Sequence, residues 1–495
     1  MLCRRIDTLL FSGFTAAALI GCDGGGDTAP PVSTAPCETP RFAEARDSVQ
    51  CGKLVDAEGR VIFLHGVNAR VEGVFDVTFD DGRTALEPIP AFADEDAARM
   101  RAIGFNALRL PINWSGLEPS ETGGFNESYL DKVEAVVNLC GTHGIRTLVD
   151  FHQDAYSKEI GEDGAPLWAI IPPPTQLLEG PLTDLAARRA SKQVLDAFAT
   201  FFTPENEDGK MLRDRFAKAV AHVAERFAQN AYVTGIEIYN EPVATDEDSH
   251  VLHDEVITFV RPVDEGRLYY FEPSVFRNLK DKAPTAKRDP WPGTVYAPHV
   301  YTLSFDGTDQ EKTEMTKETL RPSNESARNE AESWEAPLVV GEFGYDPKGI
   351  QAENYLAWQV QLQDEYQASG FLWVWKEQSQ DSWGMYDHDD ATGTWTERDA
   401  VRKAVSRVVP EAVAGWPESF GYDPETKRFE MTFTGDPTLS APHLIYVPGP
   451  ADFAENVEVT CDGEVVAAER DSATGLIQVS CGTDGAKHTL VVAAK

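Results

Sequence analysis

Gly235-Ile236-Glu237-Ile238-Tyr239-Asn240-Glu241-Pro242 is a short apolar run that closes on Asn-Glu-Pro. Strand alternation sends Glu237, Tyr239 and Glu241 to one face, which predicts Glu237 deep in a fold and Glu241 at the strand's mouth-ward end. A second run, Leu338-Val339-Val340-Gly341-Glu342-Phe343-Gly344, closes in the same way, on a carboxylate followed by glycine. Two glutamates, each ending a strand-like segment, outline a paired-carboxylate site.

Working outward, residues 60 to 408 alternate between short β-rich runs and longer segments of helical spacing. The runs are Val61 to Val67, Ala107 to Ile112, Thr147 to His152, Thr234 to Tyr239, Leu268 to Glu272, Thr294 to Val300, Pro337 to Glu342 and Phe371 to Lys376. Helical spacing marks Asp94 to Ile103, Glu127 to Gly141, Leu212 to Ala228 and Glu353 to Ala368. Eight such units predict an α/β fold, a (β/α)8 TIM barrel, with catalytic groups at the C-terminal ends of the strands. From Val409 the helical patterns give way to short alternating runs: Arg428 to Thr434, His443 to Val447, Asn456 to Cys461 and Leu476 to Cys481. Residues 41–408 are therefore expected to form the barrel and 409–495 a C-terminal antiparallel β-sandwich.

The Asn-Glu-Pro of strand four and the Gly-Glu-Phe-Gly of strand seven resemble glycoside hydrolase family 5, a family of retaining (β/α)8 glycosidases. His65-Gly66-Val67-Asn68 on strand one, Arg109 on strand two, His299 and Tyr301 on strand six and Trp375 on strand eight extend the resemblance. It implies that Glu241 is the general acid/base and Glu342 the nucleophile. It also implies that Asn240 binds the sugar 2-OH, that Arg109 and Tyr301 orient Glu342 and keep it charged, that His299 lines the catalytic subsite, and that Trp375 stacks under the sugar. No metal and no cofactor are implied. The chemistry is compatible, since retention needs carboxyl groups about 5 to 5.5 Å apart, one protonated and one ionised. Arg109 is equally suited to neutralising a buried Glu237. His65 and His152 are each open between a satisfied barrel histidine and a subsite donor.

Strand three ends Val149-Asp150-Phe151-His152-Gln153-Asp154-Ala155-Tyr156-Ser157, and Gly164-Ala165-Pro166-Leu167-Trp168-Ala169 follows. Both stretches are similar to endoglycoceramidases, the subgroup that cuts between glycan and ceramide, and by that analogy Asp154 binds hydroxyls of the first sugar. The loop from Ala155 to Leu185 carries Leu167, Trp168, Ile170, Ile171, Pro172, Pro173, Pro174, Leu177 and Leu178. A loop of this length is uncommon unless functional, and its side chains could form an apolar lip for a lipid or pack on one another. Ser157 to Asp163 and Pro172 to Pro174 depart from the glycine-rich loop associated with glucosylated ceramide, and Arg70 to Phe75 lacks a lysine that some relatives carry. Galactose as well as glucose is thus open beside the aglycone. The expected substrate is a glycosphingolipid; the alternatives are a family 5 β-glucanase or β-glucosidase, and a silent carbohydrate-binding surface lipoprotein.

Composition limits the partners. The 81 acidic against 44 basic residues give a formal net charge of −37, which argues against nucleic acid, whose binding relies on clustered Lys and Arg. Arg4 and Arg5 precede an apolar run to Ile20, and Leu19-Ile20-Gly21-Cys22 resembles a bacterial lipobox. Residues 1–22 are expected to be a lipoprotein signal and 23–40 a flexible tether, giving an exported monomer that is a cell-envelope lipoprotein or, if Cys22 is incidental, secreted. Outside the cytoplasm, Cys37 with Cys51 and Cys461 with Cys481 are plausible disulfides, leaving Cys140 as a buried thiol.

Overall fold

The computed structural model describes residues 46–280, 291–378 and 383–495. The expected signal, lipobox cysteine and tether lie outside these residues, as does Cys37. Three short N-terminal strands, β1 (Ser48–Gln50), β2 (Lys53–Val55) and β3 (Val61–Ile62), lead into the barrel. Its eight parallel strands are β4 (His65–Asn68), β5 (Ala107–Ile112), β6 (Arg146–Phe151), β7 (Val233–Glu237), β8 (Tyr269–Phe271), β9 (Thr294–Tyr296), β10 (Val339–Phe343) and β11 (Ser369–Leu372). They pair in the order β10-β11-β4-β5-β6-β7-β8-β9. Parallel bridges from Tyr296 to Leu338 and from Val300 to Phe343 close the ring between β9 and β10.

Along these strands the inward positions stack in layers. Ala107, Leu148, Tyr270, Val295, Val339 and Phe371 form an apolar floor, sealed from below by Leu54, Ile62, Leu64 and Ala412. Gly235 belongs to the same level because a Cβ there would lie 2.4 Å from the Tyr270 ring. Two residues further along the strands stand Arg109, Asp150, Glu237 and Glu272, all fully buried. Period-two alternation therefore lifts a charged layer directly above an apolar one.

The barrel strands are shorter than the apolar runs, and the difference matters for the site. The expected first strand, Val61 to Val67, splits: Val61 and Ile62 pair with Val413 and Ala412 of another sheet, and the barrel strand begins only at His65. Strand eight ends at Leu372 rather than Lys376, and strand four at Glu237 rather than Tyr239. Beyond Glu237 alternation no longer applies. Tyr239 consequently packs outward, among Phe201, Phe202 and Phe216 of the surrounding helices, instead of sharing the face of Glu237.

After a hairpin of β12 (Tyr386–Asp389) and β13 (Thr394–Glu397), the chain enters the C-terminal strands. These are β14 (Val409–Val413), β15 (Gly415–Asp423), β16 (Arg428–Gly435), β17 (His443–Tyr446), β18 (Val457–Cys461), β19 (Glu464–Val465), β20 (Leu476–Val479) and β21 (Lys487–Ala494). They form two sheets, β15-β16-β21-β18-β19 and β1-β2-β3-β14-β17-β20. N-terminal strands thus complete the second sheet, and sequence order alone does not announce that. Trp416, Phe429, Met431, Phe433, Ile445, Ile477 and Val492 fill the space between the sheets. A disulfide joins Cys461 to Cys481 with the Cα atoms 5.8 Å apart, and Cys140 is a buried free thiol. Among the described residues no helix is long and apolar enough to cross a membrane.

Candidate active site

Arg109, on β5, is the hub of the barrel mouth. Its guanidinium donates to both oxygens of Glu237, at 2.9 and 2.6 Å, to Asn68 Oδ1 at 2.9 Å, to Asn240 Oδ1 at 2.8 Å and to Glu342 Oε1 at 2.7 Å. Asp150 Oδ2 lies 3.2 Å from the same group. Burial opposes the charge on Arg109, but Asp150, Glu237 and Glu342 outweigh it and keep the side chain cationic. Arg109 therefore neutralises Glu237 and holds Glu342 at once; the two sequence-based alternatives are both realised. One planar fork can serve several carboxylates in this way, which a lysine could not.

Glu342 reaches the mouth because the β10–β11 pairing shifts register between Val340 and Phe343. This irregularity turns Glu342 inward where strict alternation from Val339 would turn it out. Gly341 beside it leaves room for His299, whose ring would lie 3.1 Å from a Cβ. Tyr301 donates its hydroxyl to Glu342 Oε2 at 2.8 Å. Glu241 stands in the loop after β7 with a φ of 43°, and its Oε1 is 3.0 Å from His299 Nδ1. One oxygen of Glu241, one of Glu342 and a ring nitrogen of His299 all lie within 4.8 Å of one another. That spacing suits direct attack on a sugar carbon and leaves no gap for an intervening water of an inverting site.

Burial, reinforced by Asp154, pushes Glu241 up to about 7; burial, with repulsion from Glu241, pushes Glu342 up to about 8. The pair thus holds one proton near neutrality and titrates as a unit. Hydrogen bonds to the charged form decide where the proton sits. Glu342 accepts two, from Arg109 and Tyr301, whereas Glu241 faces an imidazole that burial and Arg109 hold well below its usual range, and hence neutral. Burial lifts Glu342 at least as far as Glu241, but the two donors on Glu342 stabilise its carboxylate in a way nothing on Glu241 matches among the described residues, so the charge is assigned to Glu342 and the proton to Glu241. Burial and Glu342 keep the Tyr301 hydroxyl protonated, so it remains a donor.

A second cluster forms at the end of β6. His152 Nδ1 is 2.6 Å from Asp150 Oδ2 and its Nε2 is 3.6 Å from Asp154 Oδ2. Burial disfavours a charged ring, yet Asp150 and its acidic neighbours raise His152 well above the ordinary range. The ring lies flat on Trp373, with centroids 5.6 Å apart and planes 12° from parallel, the geometry of a cation–π contact. Burial raises Asp154, but Arg189 and His152 bring it down to about 2, so it stands ionised and half-buried at the rim. Its backbone is tied to Asp163, which also accepts from Asn113 at 2.6 Å.

Asn240, Glu241, Glu342, Arg109, His152, Asp154, His299 and Tyr301 are brought together at one mouth; His65 and Trp375 are not. His65 opens β4 and so lies at the opposite end of the barrel, its Nε2 3.2 Å from Pro410 O. Burial and the nearby Arg407 lower it to about 3, which makes it a neutral structural histidine. Trp375 is 1% exposed, bonds Asp96 through Nε1 at 2.9 Å and packs on Phe105 and Tyr386. It cannot stack on a sugar. Trp373, two residues after Phe371 and half-buried, is the strand-eight aromatic at the mouth, lying against His152. Sequence reasoning also missed Asn68, Asp150, Gln153 and Glu272 as parts of the site. For Asp150 and Glu272 the alternation of their own strands was the available signal.

The expected apolar lip is mostly internal packing. Ile170 is buried, and Trp168 packs edge-on against Trp114 while donating Nε1 to Glu118 O at 2.9 Å. Leu167 and Leu177 alone among the large apolar residues of that loop are exposed, at 43% each.

Paired glutamates on strands four and seven of a closed parallel barrel, clamped by a shared arginine and a tyrosine, are the constellation of a retaining glycosidase. The chain belongs to glycosyl hydrolase family 5: residues 85–379 match Cellulase (glycosyl hydrolase family 5), and residues 407–492 match the Glycoside hydrolase family 5 C-terminal domain. It is 25% identical over 459 residues to an endoglycoceramidase of Cyanea nozakii, covering 82% of this chain and 85% of that one. To endoglycoceramidase I of Rhodococcus hoagii it is 26% identical over 458 residues, covering 87% and 85%. Endo-glycoceramidase II from Rhodococcus sp., solved with a five-membered iminocyclitol, superposes with a TM-score of 0.74 at 26% identity, over 89% of this chain and 99% of that one. An endogalactoceramidase structure shares the fold at 22% identity, with a TM-score of 0.73 over 90% and 99%.

Proposed function

We propose that this family 5 enzyme hydrolyses the β-linkage between glycan and ceramide in glycosphingolipids and releases the glycan intact. Glu342 attacks the anomeric carbon as Glu241 gives its proton to the glycosidic oxygen, so the ceramide hydroxyl leaves and a glycosyl ester forms. Glu241 then takes a proton from water, which displaces Glu342, and two inversions give net retention. Asn240 is held in place for the sugar by the hydrogen bond it accepts from Arg109 and the one its side-chain NH2 donates to Gln153 O at 3.1 Å.

The observation that carries the substrate is the division of the mouth. Strands four and seven split the ring into two arcs. The arc of strands eight, one, two and three presents half-buried Trp373 and Asp154 with His152 between them, suited to sugar hydroxyls. The arc of strands five and six presents Phe276 and Phe305, exposed by 45% and 59%. Phe305 stacks on Trp383 at 5.3 Å and packs at a tilt against Tyr301 at 4.9 Å, next to the dyad. A polar half and an aromatic half either side of two carboxylates fit a glycan joined to a lipid. The endoglycoceramidase relatives support the same reading, and the lipobox-like Cys22 supports attachment to the cell envelope.

Incubation with glucosylceramide-based and galactosylceramide-based glycolipids and with cellulose oligomers tests it. Release of intact glycan with ceramide from one glycolipid class is the expected result and identifies the first sugar. Cleavage of cellulose oligomers alone would refute it.

A further inference from the structure

Glu272, one residue past β8, is fully buried and has no part in the bond-making steps above. Its Oε2 accepts the backbone N–H of Glu241 at 2.7 Å. Its Oε1 accepts the side-chain amide of Asn278 and lies 3.4 Å from His299 Nδ1. Asn278 in turn accepts the backbone N–H of His299 at 3.1 Å, and His299 Nδ1 is the ring atom 3.0 Å from the carboxyl of Glu241. Both supports of the Glu241 carboxyl, its own backbone and the imidazole beside it, therefore converge on one side chain.

The backbone support is needed. Glu241 sits in the left-handed region, which a non-glycine residue holds only where its surroundings fix it. A plain structural account of Glu272 would have it neutralise a cation. Arg109, however, is engaged by Glu237, Asp150 and Glu342, and the ion-pair neighbour of Glu272 among the described residues is the neutral His299. Burial and the neighbouring Glu237 and Glu241 carboxyls push Glu272 above the ordinary carboxyl range, while the N–H groups that donate to both its oxygens favour the carboxylate.

We propose that Glu272 is a positioning residue for proton transfer: it fixes the turn of Glu241 and the plane of His299 so that the acid meets the departing oxygen. This rests on Glu241 being the acid/base. Both oxygens of Glu272 accept N–H groups, so Glu272→Gln, though isosteric, sets an NH2 against either the Glu241 amide or that of Asn278.

The test compares two β-glycosides of one sugar, an alkyl glycoside that needs protonation to leave and a dinitrophenyl glycoside that does not. For Glu272→Gln, kcat/KM on the alkyl glycoside is expected to fall roughly a hundredfold, the scale of lost general acid assistance, and on the dinitrophenyl glycoside less than about fivefold. Equal losses on both, or none on either, would overturn the proposal. Glu241→Ala is run alongside: without a leaving-group split there, the acid/base assignment itself fails, whereas a split there and none in Glu272→Gln fails only the inference. Should Glu272→Gln not fold, Asn278→Ala, which cuts the link to His299 from the other side, carries the same expected split and the same refutation.

Discussion

Tyr301→Phe isolates one of the two hydrogen bonds that keep the nucleophile charged. The substitution removes the O–H at 2.8 Å from Glu342 Oε2 and keeps the ring that packs on Phe305. A hydrogen bond to a charged group contributes about 1.5–3 kcal/mol, and 1.36 kcal/mol corresponds to one pH unit, so the change is worth about one to two units. The sign follows from which form is stabilised. Tyr301 favours the carboxylate, its loss favours the protonated acid, and the pH at which Glu342 ionises rises. The acidic limb of the kcat/KM profile should therefore move to higher pH by about one to two units. Well above that limb the rate should fall less than about tenfold, because Arg109 still holds Glu342 at 2.7 Å. The assay is kcat/KM on an aryl β-glycoside across the stable pH range. An acidic limb that stays in place, or moves down, would refute the partition of charge between Glu342 and Glu241.

Further outcomes follow from the geometry. Glu342→Gln should lose turnover by several orders of magnitude while keeping its unfolding midpoint; retained turnover would remove the nucleophile role. Trp373→Ala should cut kcat/KM about tenfold or more, the equivalent of a stacking contact of about 1.5 kcal/mol, with little change in thermal stability. Trp375→Phe should do the reverse, lowering stability by about 1–3 kcal/mol through the lost bond to buried Asp96 and leaving KM alone. Replacing both Cys461 and Cys481 by Ala opens a loop of sequence separation 20 and should cost about 3 kcal/mol in chemical denaturation. An unchanged midpoint in that experiment would place the bridge outside the stability of the C-terminal sheets.

The chemistry of the chain was legible in local sequence. Eight apolar runs separated by helical spacing specify a parallel barrel because each run must be buried on both faces, and Asn240-Glu241-Pro242 and Gly341-Glu342-Phe343 mark where two strands surface at its mouth. Period-two alternation also predicts Glu237 deep in the barrel, where it lies fully buried against Arg109, but the same rule placed Tyr239 on that face and the end of the strand turns it outward. What it could not supply was the residue at which each strand stops, since that depends on how far the neighbouring strand extends its hydrogen bonds. His65, open from sequence between a barrel histidine and a subsite donor, lies at the base, because Val61 and Ile62 pair with β14 instead of lengthening the barrel strand. Trp375 was placed under the sugar and is buried beside Asp96, because β11 ends at Leu372 and leaves Trp373 as its aromatic at the mouth. The same limit governs the carboxylates. Sequence names Glu241 and Glu342, but only tertiary structure, through a register shift in β10 and a left-handed turn held by Glu272, brings their oxygens within reach of one carbon and leaves the proton on one of them.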